Sequence, residues 1–268
     1  MNTIYGIPLW KIILIVIAFL CFGAALYFYF ASKMVQNTDN VIFLSNEETQ
    51  DILNNDADHY YQTFHKTDLK VRKSKNIQDY LAKISKSGCN GTEENKEKIL
   101  YCIKKINEKF QTQKNDTIEG VHMGKLLDLK WKIGFICDKF YENGLPHTRG
   151  DTILINNQDM QRRNLTEMCR LLIHEKVHVY QKIYKNEFQS SLVEKFEQTQ
   201  ENDYKTTNIR ANPDIDNFIY KRKEDGKVLK STYKKKASRF SDVIHPNNDH
   251  TLEHPFENIA YTVESLYS

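Results

Sequence analysis

The chain has 268 residues, 40% of them hydrophobic and 27% charged, with only 10 Gly and 5 Pro. That balance excludes collagen-like, mucin-like and mainly disordered chains, and the length suffices for one ordinary domain or two small ones. A formal net charge of +3 is too weak to point to nucleic acid, and no nucleic-acid partner is expected.

From Ile12 to Ser32 the chain reads IILIVIAFLCFGAALYFYFAS, 21 residues without a charge. As a helix rising about 1.5 Å per residue it is about 31 Å long, enough to cross a hydrocarbon core of about 30 Å. Trp10 and Lys11 flank one end, and Tyr27, Tyr29 and Lys33 lie near the other, as interface anchors do. A cleavable signal peptide needs a shorter apolar core and small residues before the cut, which Cys21 and Gly23 supply poorly. Residues 1–35 are therefore expected to be an uncleaved, single-pass anchor partnered by the bilayer through residues 12–32. One Lys close to each end leaves the side of the membrane unassigned.

Residues 36–140 read as a helical lobe. Ile77, Tyr80, Leu81 and Ile84 form an i, i+3, i+4, i+7 stripe. After the turn Ser87 to Gly91, Thr92 can cap a helix with Glu93 and Glu94 in its first turn and Ile99, Leu100, Cys102, Ile103 and Ile106 along it. Outside the apolar segment stand Cys89, Cys102, Cys137 and Cys169, which allow three pairings or four free thiols. Sequons beginning at Asn90, Asn115 and Asn164 are no more than an Asn-rich chain throws up by chance.

The pattern changes in residues 141–268. Pro146 to Asp151 is a turn cluster, and Thr152-Ile153-Leu154-Ile155 reads as a strand. Thr166 is placed to cap a helix over Glu167–Tyr184. Residues 217–223 and 227–233 flank Glu224-Asp225-Gly226 as a hairpin, and the stretch Lys221 to Arg239 holds nine basic and two acidic residues. A solvated surface explains that run; anionic lipid or an acidic substrate is the functional alternative. A last helix starts at Pro255, a residue suited to the first helical position.

The long helix carries His174-Glu175-Lys176-Val177-His178, an H-E-x-x-H motif. Residues four apart lie about 6 Å apart along one helical face, so both imidazoles can bind one tetrahedral Zn²⁺. Glu175 can then serve as general base toward a zinc-bound water. The plain alternative is two half-exposed histidines on an amphipathic helix. A catalytic zinc takes a third protein ligand. The later Gly and His of metzincins are missing, since Gln181 and Tyr184 stand there. Glu257, in the first turn of the Pro255 helix, is the favoured ligand. Glu194 and Glu197 are rivals in a very polar run that reads as a solvated helix face, and His245, His250 and His254 lie in a polar loop.

Here the sequence resembles the gluzincins, zinc metallopeptidases with H-E-x-x-H and a downstream Glu. In the neprilysin-like branch that Glu opens an E-N-I-A-D stretch, and Glu257 to Ala260 read E-N-I-A. The departure is Tyr261, where the branch has an Asp that orients a histidine; Asp214 or Glu264 is left to fill that role. The resemblance covers motifs within about 120 residues. It implies an α+β zincin-like domain whose edge strand, here 152–155, aligns extended substrate, with His174, His178 and Glu257 as zinc ligands and Glu175 as base. One of His245, His250, His254, Tyr220 or Tyr261 would stabilise the oxyanion. The expected activity is zinc-dependent hydrolysis of peptide or protein substrates at a membrane. The alternative is a zincin scaffold that binds without turnover, or zinc hydrolysis of another substrate.

Overall fold

The computed structural model describes residues 40–201, 208–210, 216, 218–245 and 252–267, with the backbone of 3–4 and 7–8. The chain divides into Met1–Val41 and Ile42–Ser268. In the first unit Thr3–Ile4 pairs antiparallel with Ile7–Pro8. The expected span 12–32 lies outside the described residues, and among the described residues no helix is long and apolar enough to cross a membrane.

The second unit mixes helices with a five-stranded sheet. Its elements in order are β1 (Val41–Phe43), α1 (Asn46–Asn54), α2 (Lys66–Val71), α3 (Ile77–Ile84), β2 (Gly88–Cys89), α4 (Glu93–Phe110), α5 (Met123–Asp128), β3 (Trp131–Ile136), β4 (His147–Arg149), β5 (Thr152–Asn156), α6 (Asn157–Arg162), α7 (Leu165–Ile183) and α8 (Lys185–Leu192). Then come β6 (Phe196–Glu201), β7 (Phe218–Arg222), β8 (Val228–Leu229), β9 (Thr232–Tyr233), β10 (Val243–Ile244) and α9 (Pro255–Ser265). Local chemistry sets many of these ends. Asn76 caps α3, Thr92 caps α4, and Asn164 with Glu167 forms a capping box on α7. The motif helix thus starts two residues earlier than a Thr166 cap would allow.

The sheet runs β1-β3-β5-β4, with β2 also on β3. β3 and β5 are parallel, while β4 turns back antiparallel along β5 through Gly150, whose φ of +56° suits a residue without Cβ. Two expectations are corrected by this order. Strand 152–155 is interior, paired on both sides, so the edge available to a substrate is β4. And 36–140 is no separate helical lobe: it supplies β1, β2 and β3, and Ile42–Ser268 forms one unit. The physical reason is Trp131–Ile136, a run of β-formers whose residues are buried except for partly exposed Lys132; it takes the sheet's centre, and helices pack around it.

Farther on, residues 227–233 do not form one hairpin strand. Val228–Leu229 pairs with β7, whereas Thr232–Tyr233 pairs with Val243–Ile244. The polar run after Glu194 is not a helix face either, because β6 pairs antiparallel with β7.

Two disulfides form, Cys89–Cys137 and Cys102–Cys169. The first ties β2 to the end of β3. The second ties α4 to α7 five residues before His174. Closing loops of 48 and 67 residues constrains the unfolded chain by about 4 kcal/mol each on a chain-entropy basis.

Candidate metal centre

Helix α7 packs against α4 on one side and α9 on another, so its middle turns, from Leu172 to Gln181, are buried all round. Its core-facing side is held by Lys176, whose ammonium donates to the carbonyls of Leu129 and of Lys130 (3.0 Å) and lies 4.1 Å over the Trp131 ring. Burial pushes that lysine well below its ordinary pKa. With Lys176 fixed inward, His174 and His178 project together from the opposite side, toward α9.

Helix α9 answers with Glu257. It approaches closely because Ala260, one turn on, is small and fully buried. His174 Nε2 and His178 Nε2 are 3.2 Å apart. The Glu257 carboxylate lies 3.4 Å from the first and 3.6 Å from the second. A tetrahedral zinc with arms of about 2.05 Å has ligand-to-ligand edges of about 3.3 Å. The two ring nitrogens stand near that spacing and each meets a different Glu257 oxygen close to it; with one atom from each residue the three lie within 4.8 Å of one another, the one such group among the described residues that could hold a metal.

The outer nitrogens are supported as a metal's histidines require. His174 Nδ1 meets Glu264 Oε2 at 3.1 Å, and the other Glu264 oxygen accepts from Arg170 Nε at 3.1 Å. Glu264 therefore stands where the resemblance left Asp214 or Glu264 open; Asp214 lies outside the described residues. His178 Nδ1 meets Gln181 Oε1 at 2.8 Å. Burial opposes protonation of His174, but the carboxylates of Glu257 and Glu264 outweigh it and raise the ring to about 10. Glu257 likewise raises His178 against burial, and the two rings hold Glu257 well below the usual carboxylate range. Electrostatically the cluster is a hole for a cation. Two nitrogens and a carboxylate oxygen are the donor set of a catalytic zinc, so the residues fit that metal.

Glu175 is buried beside the rings, and one of its oxygens accepts from Thr148 Oγ1 at 3.1 Å. Thr148 lies on edge strand β4, whose His147 borders the same cleft as Glu175. That cleft, of 640 Å³, is lined by His174, Glu175, His178 and Glu257, with Glu264 and Tyr261 on one wall.

The rival residues fall elsewhere. Glu197 is on β6, exposed, opposite Lys221 and 4.0 Å from it; Glu194 is also exposed. His254 caps α9, accepting from Phe256 N at 3.2 Å, and its other nitrogen meets Asp216 at 3.1 Å. Tyr220 donates to that same Asp216 at 2.6 Å, away from the cleft. His245 borders the cleft with Nδ1 on Ser231 Oγ at 2.8 Å. The Tyr261 ring leans on His174, centroids 4.7 Å apart. His250 lies outside the described residues. Thr148, Arg170 and Gln181 went unread in the sequence. Only Gln181 carried a local signal, standing three residues after His178 on one helical face.

No known protein family, no curated protein and no solved structure matches this chain.

Proposed function

We propose that the chain is a membrane-anchored, zinc-dependent metallopeptidase of gluzincin type, with His174, His178 and Glu257 holding the metal. The convergence of those three side chains, with ligand atoms within 4.8 Å of one another and the two ring nitrogens 3.2 Å apart, carries the reading. Bound there, Zn²⁺ supplies Lewis acidity, polarising a carbonyl and bringing a water's pKa to about 7. Glu175, oriented by the Thr148 hydroxyl, takes the proton of the attacking water on a carboxylate oxygen and returns it to the leaving amine nitrogen. β4, the end strand of the sheet on the cleft side, is the strand against which an extended peptide backbone would lie. Among the described residues, His245 and Tyr261, both on the cleft wall, are the candidates for stabilising the oxyanion.

Residues 12–32 serve as the anchor in this reading. The two disulfides favour a catalytic unit on the oxidising side of that membrane, since such bonds persist mainly in oxidising spaces.

The test is Glu175→Gln in the full chain. Gln matches Glu in size and still accepts from Thr148 but cannot take a proton. Zinc should remain near one per chain while cleavage of a mixed peptide library falls by about 10² or more. Undiminished cleavage would refute the role of Glu175. Zinc without cleavage in both proteins would favour a binding scaffold.

A further inference from the structure

Gln181 is 1% exposed, uncharged, and makes one hydrogen bond with each of its amide atoms. Its Nε2 donates to Phe256 O at 3.0 Å, and its Oε1 faces His178 Nδ1 at 2.8 Å. A backbone carbonyl can only accept, so the Gln181 NH₂ must point at Phe256 and its oxygen at His178. An amide oxygen can only accept in turn, so His178 must carry its proton on Nδ1. That leaves the Nε2 lone pair aimed at the point it shares with His174 and Glu257.

Resting on the zinc reading above, we propose that Gln181 is a positioning residue that fixes the tautomer of His178 for metal binding, and that it couples this to the placement of Glu257. The coupling is through Phe256, the residue just before Glu257 on α9. One buried side chain thereby registers two ligands from two helices. The arrangement differs from that at His174, where a carboxylate, Glu264, occupies the outer nitrogen. A neutral partner at His178 supplies the same acceptor without adding a further carboxylate to a cluster that already holds Glu175, Glu257 and Glu264. The sequence cause is helical spacing: positions 174, 178 and 181 lie on one face of α7, and α9 crosses it there.

Two variants of the full chain separate the tautomer role from simple packing. Gln181→Glu keeps an oxygen on His178 Nδ1 in either charge state. Gln181→Met fills similar volume but offers no acceptor. Zinc affinity, read by competition with a chelator of known strength, is expected to fall by about 10- to 100-fold in Gln181→Met and by clearly less in Gln181→Glu, which keeps the acceptor on His178 but, when ionised, loses the donor to Phe256 O. Equal losses in both, or none in Gln181→Met, would overturn the proposal. Should Gln181→Met fail to fold, long-range ¹H–¹⁵N imidazole spectra of the zinc-loaded wild type decide: a proton on His178 Nδ1 agrees, and a proton on Nε2 overturns it. Wild-type protein that takes up no zinc would instead remove the metal reading itself, and this proposal with it.

Discussion

Helix α9 meets two buried groups of histidine and carboxylate, and they are satisfied in different ways. At its N-terminus His254 accepts from Phe256 N on one ring nitrogen and faces Asp216 with the other, and Tyr220 completes the carboxylate. Every donor there has an acceptor, so the group closes on itself as a cap. One turn farther on, His174 and His178 direct their inner nitrogens at each other at 3.2 Å with a carboxylate beside both. Their outer nitrogens are tied off by Glu264 and Gln181. A shared proton or a cation must lie between two ring nitrogens at that distance. Burial and a carboxylate partner are common to both groups; only the second brings two ring nitrogens and a carboxylate oxygen within 4.8 Å of one another.

The largest expected effect is at Glu257, the proposed third ligand. Glu257→Ala should weaken zinc binding by 10²-fold or more, on the order of 3 kcal/mol, and abolish activity with it. Glu197→Ala, on an exposed strand beside Lys221, should leave both within about threefold. Calorimetric titration with zinc reads the two together, and equal losses would move the ligand set away from Glu257.

Much of this was legible in the sequence, and the boundary is physical. The H-E-x-x-H face of α7, the Pro255 start of α9, the apolar stripe of α3 and the Thr92 cap of α4 follow from spacing within one helix, which sequence carries directly. Strand β3 escaped notice inside a helix-rich stretch, although its neighbours in the sheet come from residues 88–89 and 152–156. Whether β5 was an edge or an interior strand depended on β4, a three-residue strand hidden in a turn cluster. Thr148 and Arg170 reach their partners across 27 and 94 residues. Such pairings are properties of topology, and no local pattern encodes them. The polar run at Glu197 misled for a related reason: its strand partner, Phe218–Arg222, lies some twenty residues on.

A second, intermediate effect is on pH. His174 in the metal-free chain is raised to about 10, because Glu257 and Glu264 outweigh burial. Its folded value therefore lies above the ordinary 6.5. The stabilisation it contributes is complete below pH 6.5 and is lost as pH rises through about 10. Chelator-treated protein should thus unfold at progressively lower temperature between pH 7 and 10. Zinc must displace that proton, so its apparent affinity should rise about tenfold per pH unit over pH 6 to 8. A flat profile in both measurements would mean the cluster holds no extra proton.

The smallest effect sharpens the other side of the comparison. His254→Ala removes a cap and leaves Asp216 with one partner fewer, which should cost about 1–3 kcal/mol in stability. Zinc affinity should change less than tenfold, because the ring nitrogens proposed to hold the metal are elsewhere. Loss of zinc comparable to that of Glu257→Ala would show that the two groups are one site.

A zinc peptidase of this design requires His174, His178 and Glu257 to share one zinc ion. Zinc K-edge X-ray absorption of the zinc-loaded full chain tests it most directly. The expected spectrum has one zinc per chain, a four-coordinate shell of nitrogen and oxygen at about 2.0–2.2 Å and the outer-shell signature of two imidazoles; one imidazole should vanish in His178→Ala. A six-coordinate oxygen shell without imidazole, or zinc that never reaches one per chain, would contradict it.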